Sequence, residues 1–536
     1  MSTVNEQKVS PEKNSASSVA RQGFVVSSMT LISRISGLLR DIAFSYVFGA
    51  SHLADIFFVA FRVPNFFRRL FAEGAFNQAF IPVLVEFKAK GREELRDFLS
   101  SVSGLFGAVL FIFVLVGMIG AEQLVMLFAP GFTSEASKFD QTAELVRIMF
   151  PYIGFISLTA YVSGVLNAHD RFAIPAITPV LLNLCLISAS LLCIADFFDG
   201  LAAVVVLSWS VVLAGIIQLG FQLPSLNALG LLVRPNLNHR QSGIKEIGIL
   251  IIPAVLSASV GQINALVNTM IASNLVTGSI SWLYYADRLL ELPVGLVAIA
   301  LSTVMLPHLS RLSIGGASDD FDRLMSWGVL MGMGLGLPAG IGLYFLSIPL
   351  IATLFMSFEG GAMTVHDVMM ASQALEMFAI ALPGFVLVRV LSAGFFSCKN
   401  TQQPFRYASA AVVVNLLGSL LTYKWLGHIG LALSTALSAW TNVFLLYFGL
   451  RRHGISVVKL FSPQLFKIYV LTALIALVLF LYLPDGEFWL RQSAFSRLID
   501  LTMIIVAVAF AYILLLLLFG FRSRDVSPAI NQQRTG

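Results

Sequence analysis

Segment after segment of about twenty apolar residues, the length that spans a hydrocarbon core of about 30 Å, follows along this chain. Fourteen such segments can be read, beginning near Phe24, Leu53, Leu99, Thr142, Ala173, Leu201, Gly243, Ser279, Arg323, His366, Phe405, Gly430, Pro463 and Ser496. Of the 536 residues, 57% are hydrophobic and only 12% are charged, about half the charge of a soluble domain. So few charges cannot coat a water-exposed surface. A segment in lipid must also satisfy its own backbone hydrogen bonds. The pattern therefore predicts an all-α polytopic membrane protein of fourteen transmembrane helices.

Lys and Arg set the orientation, because they concentrate in cytoplasmic loops. With the N-terminus inside, the inner segments include EFKAKGREELRD (86–97), VRPNLNHRQSGIK (233–245) and RRHGISVVK (451–459), together with both tails. The outer connections ASHLAD, ADFFDG and SNLVTGS have no basic residue, and the outer side carries Lys138, Lys424, Arg491 and Arg497. An even span count returns the C-terminus to the cytoplasm. The pI of about 9.1 thus reflects cytoplasmic loops, not a nucleic-acid partner. No loop reaches domain size, which argues against a separate catalytic or nucleotide-binding domain and against an enzyme. Cys185, Cys193 and Cys398 lie in or beside apolar segments and read as small buried hydrophobes. The polar first 23 residues read as a cytoplasmic tail, not a signal peptide.

A weak internal repeat divides the spans. FFVAFR (57–62) recurs as LYYADR (283–288), each opening the polar second helix of a block of six, and IPVLVEF (81–87) is matched by LPHLSRL (306–312). Parallel repeats relate two lobes by an axis along the membrane normal, with the substrate site between them. The expected organisation is a tail (1–23), an N-lobe of spans one to six (24–235), a pseudo-symmetric C-lobe of spans seven to twelve (236–455), spans thirteen and fourteen (456–521) and a second tail (522–536).

Charges inside the spans carry the functional signal. The stretch ADIFFVAFRVPNFFRRLFAEGAF (54–76) holds Asp55, Arg62, Arg68, Arg69 and Glu73 around Pro64; the first span has Arg34, Arg40 and Asp41, the eighth Asp287, Arg288 and Glu291, and the tenth Glu376 and Arg389. Even the lenient insertion scale charges about 2.5–3.5 kcal/mol for an Arg at the bilayer centre, so such groups face water or a partner. At 1.5 Å per residue, Arg34, Arg68 and Arg288 fall between the midplane and the outer half. Two lobes thereby contribute to one expected basic cavity. Permanently charged, forked guanidinium groups suit phosphate or carboxylate, and an inside-negative potential favours outward movement of an anion. A purely structural reading stands beside this one, because Arg69–Glu73 and Arg288–Glu291 have the spacing of intrahelical ion pairs. On an unbroken helix Asp55, Arg62, Arg69 and Glu73 share one stripe and Arg68 points away. Pro64 is expected to interrupt that helix, so spacing leaves the choice between Arg68 and Arg69 open.

Two further patterns lead elsewhere. GMGLGLPAG (332–340) lies wholly within the ninth span and lacks the strand and GK[ST] of a phosphate loop. Gly332, Gly336 and Gly340 read instead as a small-residue face for close helix packing. The seven histidines are dispersed and form no HExxH, so no metal site is expected.

Three stretches carry a family resemblance: SRISGLLRDIAFSYVFG (33–49), ADIFFVAFRVPNFFRRLFAEGAFNQAFIPV (54–83) and WLYYADRLLELPVG (282–295), with APGF (129–132). They resemble the MurJ (MviN) lipid II flippases of bacterial inner membranes. The resemblance implies the fold of the multidrug/oligosaccharidyl-lipid/polysaccharide exporters. It implies transport of lipid II, the undecaprenyl-diphosphate-linked disaccharide-pentapeptide, to the outer leaflet. It places substrate-binding arginines at Arg34, Arg40, Arg68 and Arg288, so favouring Arg68, with acidic neighbours at Asp41, Asp55, Glu73, Asp287 and Glu291. Arg62 and Arg69 join these as supporting charges. Pro64, Gly74, Pro293 and Gly295 are the expected flex points, and spans thirteen and fourteen an expected groove for the polyprenyl tail.

Some members of the family are similar to sodium-coupled transporters, with acidic ligands on the seventh and eleventh spans. Here the eleventh (Tyr407–Leu426) has no carboxylate and the seventh only Glu246 near its cytoplasmic end. This argues against a sodium site and leaves the membrane potential or another coupling ion as the drive, with no cofactor. The expected partners are lipid II, membrane lipids and other cell-wall synthesis proteins, for a monomer in the inner membrane. The alternative is an exporter of another polyprenyl-linked saccharide or of drugs on the same fold.

Overall fold

A computed structural model describes residues 13–70, 76–238, 241–315, 318–356, 360–459 and 462–521. Among the described residues every regular element is helical. The principal helices are α1 (Lys13–Phe48), α2 (His52–Phe67), α3 (Phe76–Lys90), α4 (Arg92–Ile119), α5 (Ala121–Phe128), α6 (Ala136–Met149), α7 (Tyr152–Ala168), α8 (Ala173–Ile194), α9 (Gly200–Ala228) and α10 (Ser242–Ala272). They continue as α11 (Ser279–Gly315), α12 (Ser318–Phe345), α13 (Ser347–Phe355), α14 (Val365–Ser397), α15 (Gln402–Arg452), α16 (Pro463–Tyr482), α17 (Gly486–Arg491) and α18 (Ala494–Leu518).

Ten helical segments among the described residues are long and apolar enough to cross a membrane. One of them, α15, has 51 residues and would measure about 76 Å if straight, more than twice a hydrocarbon core. It is broken at Gly427, whose φ of 57° and ψ of −134° are open to a residue without Cβ, so it holds two crossings. The α1 and α10 helices, of 36 and 31 residues, also have the length to cross.

Local chemistry sets the ends. Thr364 and Asp367 close a capping box at the start of α14, with the Asp367 amide donating to the Thr364 hydroxyl and the Thr364 amide to the Asp367 carboxylate. The Ser462 hydroxyl accepts from the Leu465 amide, and Pro463 occupies the first turn of α16, where its missing N–H costs no bond.

The chain forms two compact units. The first comprises Met1–Asp41, Pro64–Gly120 and Arg147–Leu256; the second comprises Ile42–Val63, Ala121–Val146 and Ser257–Gly536. The chain passes between them inside α1, after Asp41, and inside α2, at Pro64. Lipid supplies no hydrophobic drive for helix association, so close packing and polar contacts must hold each unit. In the first, Phe76, Phe80, Phe87 and Phe98 of α3 and α4 pack with Tyr161 of α7. The Phe87 and Phe98 rings stack at 4.3 Å, and the Tyr161 hydroxyl donates to the Leu99 carbonyl at 3.0 Å.

In the second unit α12 and α14 approach through the glycine face expected from the sequence. A Cβ on Gly336 would lie 3.3 Å from Pro383, and one on Gly340 only 2.8 Å from the Ala379 carbonyl oxygen. The α16 and α18 helices pack on α12 through Leu471, Ile475, Leu479 and Tyr512, and the Tyr512 hydroxyl donates to the Gly334 carbonyl at 2.6 Å. Of the cysteines, Cys193 is buried and Cys185 half-buried, but Cys398 is exposed. It caps the end of α14 instead of filling a core position, which corrects the expectation of a buried residue.

Candidate functional site

The Phe-rich stretch of α2 is core, not lipid-facing surface. Phe57 is fully buried and Phe58 nearly so. Phe57 meets Phe44 edge-on at 5.2 Å, and Phe58 stacks on Tyr284 at 4.0 Å. This aromatic seam fixes the first half of α2 within the second unit and sets the depth of its charges.

Asp55 is almost completely buried. Its two carboxylate oxygens accept from the Gly278 amide at 2.8 Å, the Ser281 amide at 3.1 Å and the Ser281 hydroxyl at 2.7 Å. It thus caps the N-terminus of α11 from another helix, where exposed amides and the helix dipole favour an anion. Buried Lys138 of α6 stands 3.9 Å away, with its ammonium 4.4 Å from the centre of the Phe132 ring. The APGF segment comes close to the same place: the Gly131 amide donates to the Ser273 hydroxyl at 3.0 Å, and a Cβ on Gly131 would lie 2.2 Å from the Ser273 carbonyl oxygen. Only a glycine fits that approach.

In the second unit Arg62, Arg288, Glu291 and Glu376 are half-buried, whereas Arg389 is exposed. Arg62 donates to the Thr269 hydroxyl of α10. Arg288 pairs with Glu291 at 2.7 Å, realising the expected i, i+3 spacing, and donates to the Tyr284 hydroxyl at 3.3 Å. Its guanidinium lies 5.5 Å from the Tyr284 ring centre. Asp287 is also half-buried. Pro293 and Gly295 lie inside an uninterrupted α11.

In the first unit Arg40 and Asp41 are buried. Arg40 grips one Asp41 oxygen at 2.9 and 2.7 Å and donates to the Asn183 side-chain oxygen at 2.9 Å. Asn183 in turn donates to the Ser36 hydroxyl at 2.8 Å and the Ser33 carbonyl at 3.2 Å. This network ties α1 to α8. Arg34 and Arg68 are half-buried, while Arg69 is exposed. The Arg68 Nε donates to Asn65 at 3.2 Å. Glu73 and Gly74 lie outside the described residues.

One detail departs from the sequence reading. The α2 helix runs through Pro64 and stays regular to Phe67, and a π-helical turn follows at residues 68–70. A proline inside a helix removes one backbone donor, and here that loss does not end the helix. The wider turn at 68–70 shifts the side-chain register just at Arg68 and Arg69, so a stripe projected from Asp55 and Arg62 does not extend to them.

Sequence reasoning missed Lys138, Asn183, Ser281 and Thr269. Asn183 could have been noticed as a lone amide in an apolar run. Nothing in the sequence marks Lys138 as a partner of Asp55. A second polar group was also missed: Asn415 of α15 donates to Asn264 and, at 2.8 Å, to Asn268 of α10, and Asn268 donates to the Thr435 hydroxyl at 3.1 Å. Among the described residues no cluster of three or more His, Cys, Asp or Glu could hold a metal ion.

These half-buried guanidinium groups, with Arg288 in a helix long and apolar enough to cross a membrane, fit the resemblance read from the sequence, and direct comparison decides it. The sequence model of the family described as "Lipid II flippase MurJ" matches residues 44–518. The chain belongs to the MurJ family. It is 39% identical over 519 residues to a probable lipid II flippase MurJ of Vibrio cholerae, covering 95% of this chain and 98% of that one. It is 38% identical over 435 residues to the lipid II flippase MurJ of Burkholderia cenocepacia, covering 80% and 83%. A solved lipid II flippase MurJ in an inward closed conformation matches with a TM-score of 0.78 at 27% identity, over 94% of this chain and 99% of that one. An inward-facing multidrug transporter of the MATE family matches with a TM-score of 0.62 at 14% identity, over 80% and 97%, and that likeness concerns the fold alone. The chain is thus a multi-pass membrane protein with the MurJ fold.

Proposed function

We propose that this chain moves lipid II from the cytoplasmic to the outer leaflet of the bacterial inner membrane, with both termini in the cytoplasm. Membership of the MurJ family carries the substrate, and the half-buried Arg34, Arg68 and Arg288 carry the chemistry. Each offers a forked, permanently charged donor set suited to a diphosphate. Glu291 and Tyr284 orient Arg288, and Asn65 orients Arg68. Arg40, held by Asp41 and Asn183, sets the position of α1 in this conformation and contributes positive charge at the outer half.

The substrate site opens to each side in turn, and no bond of the lipid is made or broken. Spans one to six and seven to twelve act as the two moving lobes. Pro64, where the chain passes between compact units, and the π-helical turn after it are the places where α2 bends. The α16 and α18 helices supply the groove for the polyprenyl tail. The membrane potential drives the cycle, worth about 2.3 kcal/mol per charge per 100 mV.

The decisive experiment reconstitutes the protein in vesicles and measures the sidedness of lipid II with and without an imposed potential. Potential-dependent exposure on one face, abolished in Arg68→Ala and Arg288→Ala, supports the proposal. Normal exposure in both variants refutes it.

A further inference from the structure

Arg497 at the start of α18, Thr353 on α13 and Trp489 on α17 are buried and retain donors that no group among the described residues accepts. Arg497 is 3% exposed, Thr353 5% and Trp489 0%. Arg497 uses one nitrogen, Nη2, to reach the Met356 carbonyl at 3.3 Å, just beyond the C-terminus of α13. Its Nε and Nη1, the Thr353 hydroxyl and the Trp489 indole nitrogen have no hydrogen-bond partner among the described residues. Thr353 lies on α13 about one turn before Met356. Trp489 packs in one cluster with Leu346 and Leu501, the latter one turn along α18 from Arg497. Asp500, the nearest acid in sequence, is engaged by the Gln492 amide at 2.8 Å.

Buried donors without acceptors are rare in folded proteins, and a buried guanidinium left this way calls for an anion. The positive end of the α18 dipole adds to the attraction. The surrounding surface says what kind of anion. Phe495 and Leu498 are 72% and 50% exposed and Tyr482 is 80% exposed, so an apolar skin borders the donors. An amphiphile whose phosphate enters the donor cluster can lay its chains along that skin.

We infer that Arg497, Thr353 and Trp489 form a phosphate-binding site for the headgroup of an anionic phospholipid. On the orientation proposed above, it is an outer-leaflet lipid. The bound lipid neutralises Arg497 and joins α13 to α18 beside the proposed tail groove. This site is separate from the arginines assigned to the lipid II diphosphate.

The test uses the purified full-length chain and native mass spectrometry, with palmitoyl-oleoyl phosphatidylglycerol as probe, diacylglycerol as the phosphate-free control and inorganic phosphate as the free anion. One phosphatidylglycerol is expected to be retained where diacylglycerol is not. Arg497→Gln should weaken that retention about tenfold, as loss of a charge-assisted bond requires, while Arg497→Lys keeps part of it. Thr353→Val, which preserves shape, should weaken it severalfold and serves as the second variant if Arg497→Gln does not fold. Retention unchanged by Arg497→Gln and Thr353→Val overturns the site. Binding of inorganic phosphate with no phosphatidylglycerol adduct overturns its lipid source. Labelling of Ser493→Cys by an impermeant maleimide on intact cells, in a background lacking the native cysteines, tests the orientation separately. Labelling only after lysis refutes the outer placement and leaves the retention result standing.

Discussion

Asp55→Asn removes one charge at a point where three donors and a lysine converge, so its effect can be worked out atom by atom. The Gly278 amide reaches one carboxylate oxygen, and the Ser281 amide and hydroxyl reach the other. An asparagine must turn its NH2 toward one of these two sets, because both consist of donors. At least one charge-assisted bond is therefore lost, worth about 1.5–3 kcal/mol, and the α11 dipole loses an anion worth about 0.3–1 kcal/mol. Since Asp55 is 1% exposed, solvent does not restore the loss. A local cost of about 3 kcal/mol corresponds to about a hundredfold in the opening equilibrium at the start of α11. Lys138→Met should cost less. The pair at 3.9 Å gains Coulomb energy that is largely offset by the desolvation of the ammonium, and Asp55 keeps all three donors without it.

Hydrogen–deuterium exchange of a peptide spanning residues 276–283, with the protein in nanodiscs, reads this directly. The Gly278 and Ser281 amides should exchange about a hundredfold faster in Asp55→Asn, and less than that in Lys138→Met. Unchanged protection in Asp55→Asn, or a larger effect from Lys138→Met, would refute the assignment of Asp55 as the cap of α11.

Arg288→Ala should abolish lipid II exposure in vesicles, while Arg288→Lys, which keeps the charge but not the fork, should restore part of it; sidedness of lipid II is the readout. Asn183→Leu should lower stability by about 1–3 kcal/mol, because the buried Arg40 loses an acceptor, and a thermal unfolding midpoint equal to wild type would count against the network. Gly131→Ala should destabilise by about 1–3 kcal/mol through overpacking against the Ser273 carbonyl, seen as a lower midpoint with the helical signal retained. Replacing sodium by choline should leave the transport rate unchanged, because the polar residues joining α10 and α15 are amides and a hydroxyl bonded to one another.

Much of this architecture is legible in the sequence, because each crossing segment carries its own signal in length and apolar content. The glycines of 332–340 announce the close approach of α12 and α14 for the same local reason: only small residues let two backbones come that near. The partners of the charges are not legible in this way. Asp55 finds Lys138 and Ser281 across 83 and 226 positions of chain, and no periodicity encodes such a meeting. The π-helical turn at 68–70 is also hidden, since Pro64 draws attention to a break that occurs one turn later. Cys398 was misread because apolar neighbours in sequence do not distinguish a helix end from its middle.

Four of the charges of 54–76, Asp55, Arg62, Arg68 and Arg69, can now be separated by their place relative to Pro64. Asp55 and Arg62 precede Pro64 and bind Ser281 and Thr269 in the second unit, which makes them structural in this conformation. Arg68 and Arg69 follow Pro64 and belong to the first unit; Arg68 is half-buried beside Asn65, and Arg69 is exposed. A single helix is therefore anchored by acid–amide contacts at one end and presents guanidinium groups at the other. Those arginines lie in the irregular turn that follows its regular part. Charge in this span thus serves two ends that lipid alone would not tolerate. Asp55 is met by the N-terminus of α11. Arg68 stands half-buried on the first-unit side of Pro64, and on the function proposed above it is the group that meets an anionic headgroup. Arg62→Gln should accordingly weaken packing without abolishing lipid II exposure, whereas Arg68→Gln should abolish exposure with the unfolding midpoint unchanged, and the reverse pattern would invert the assignment.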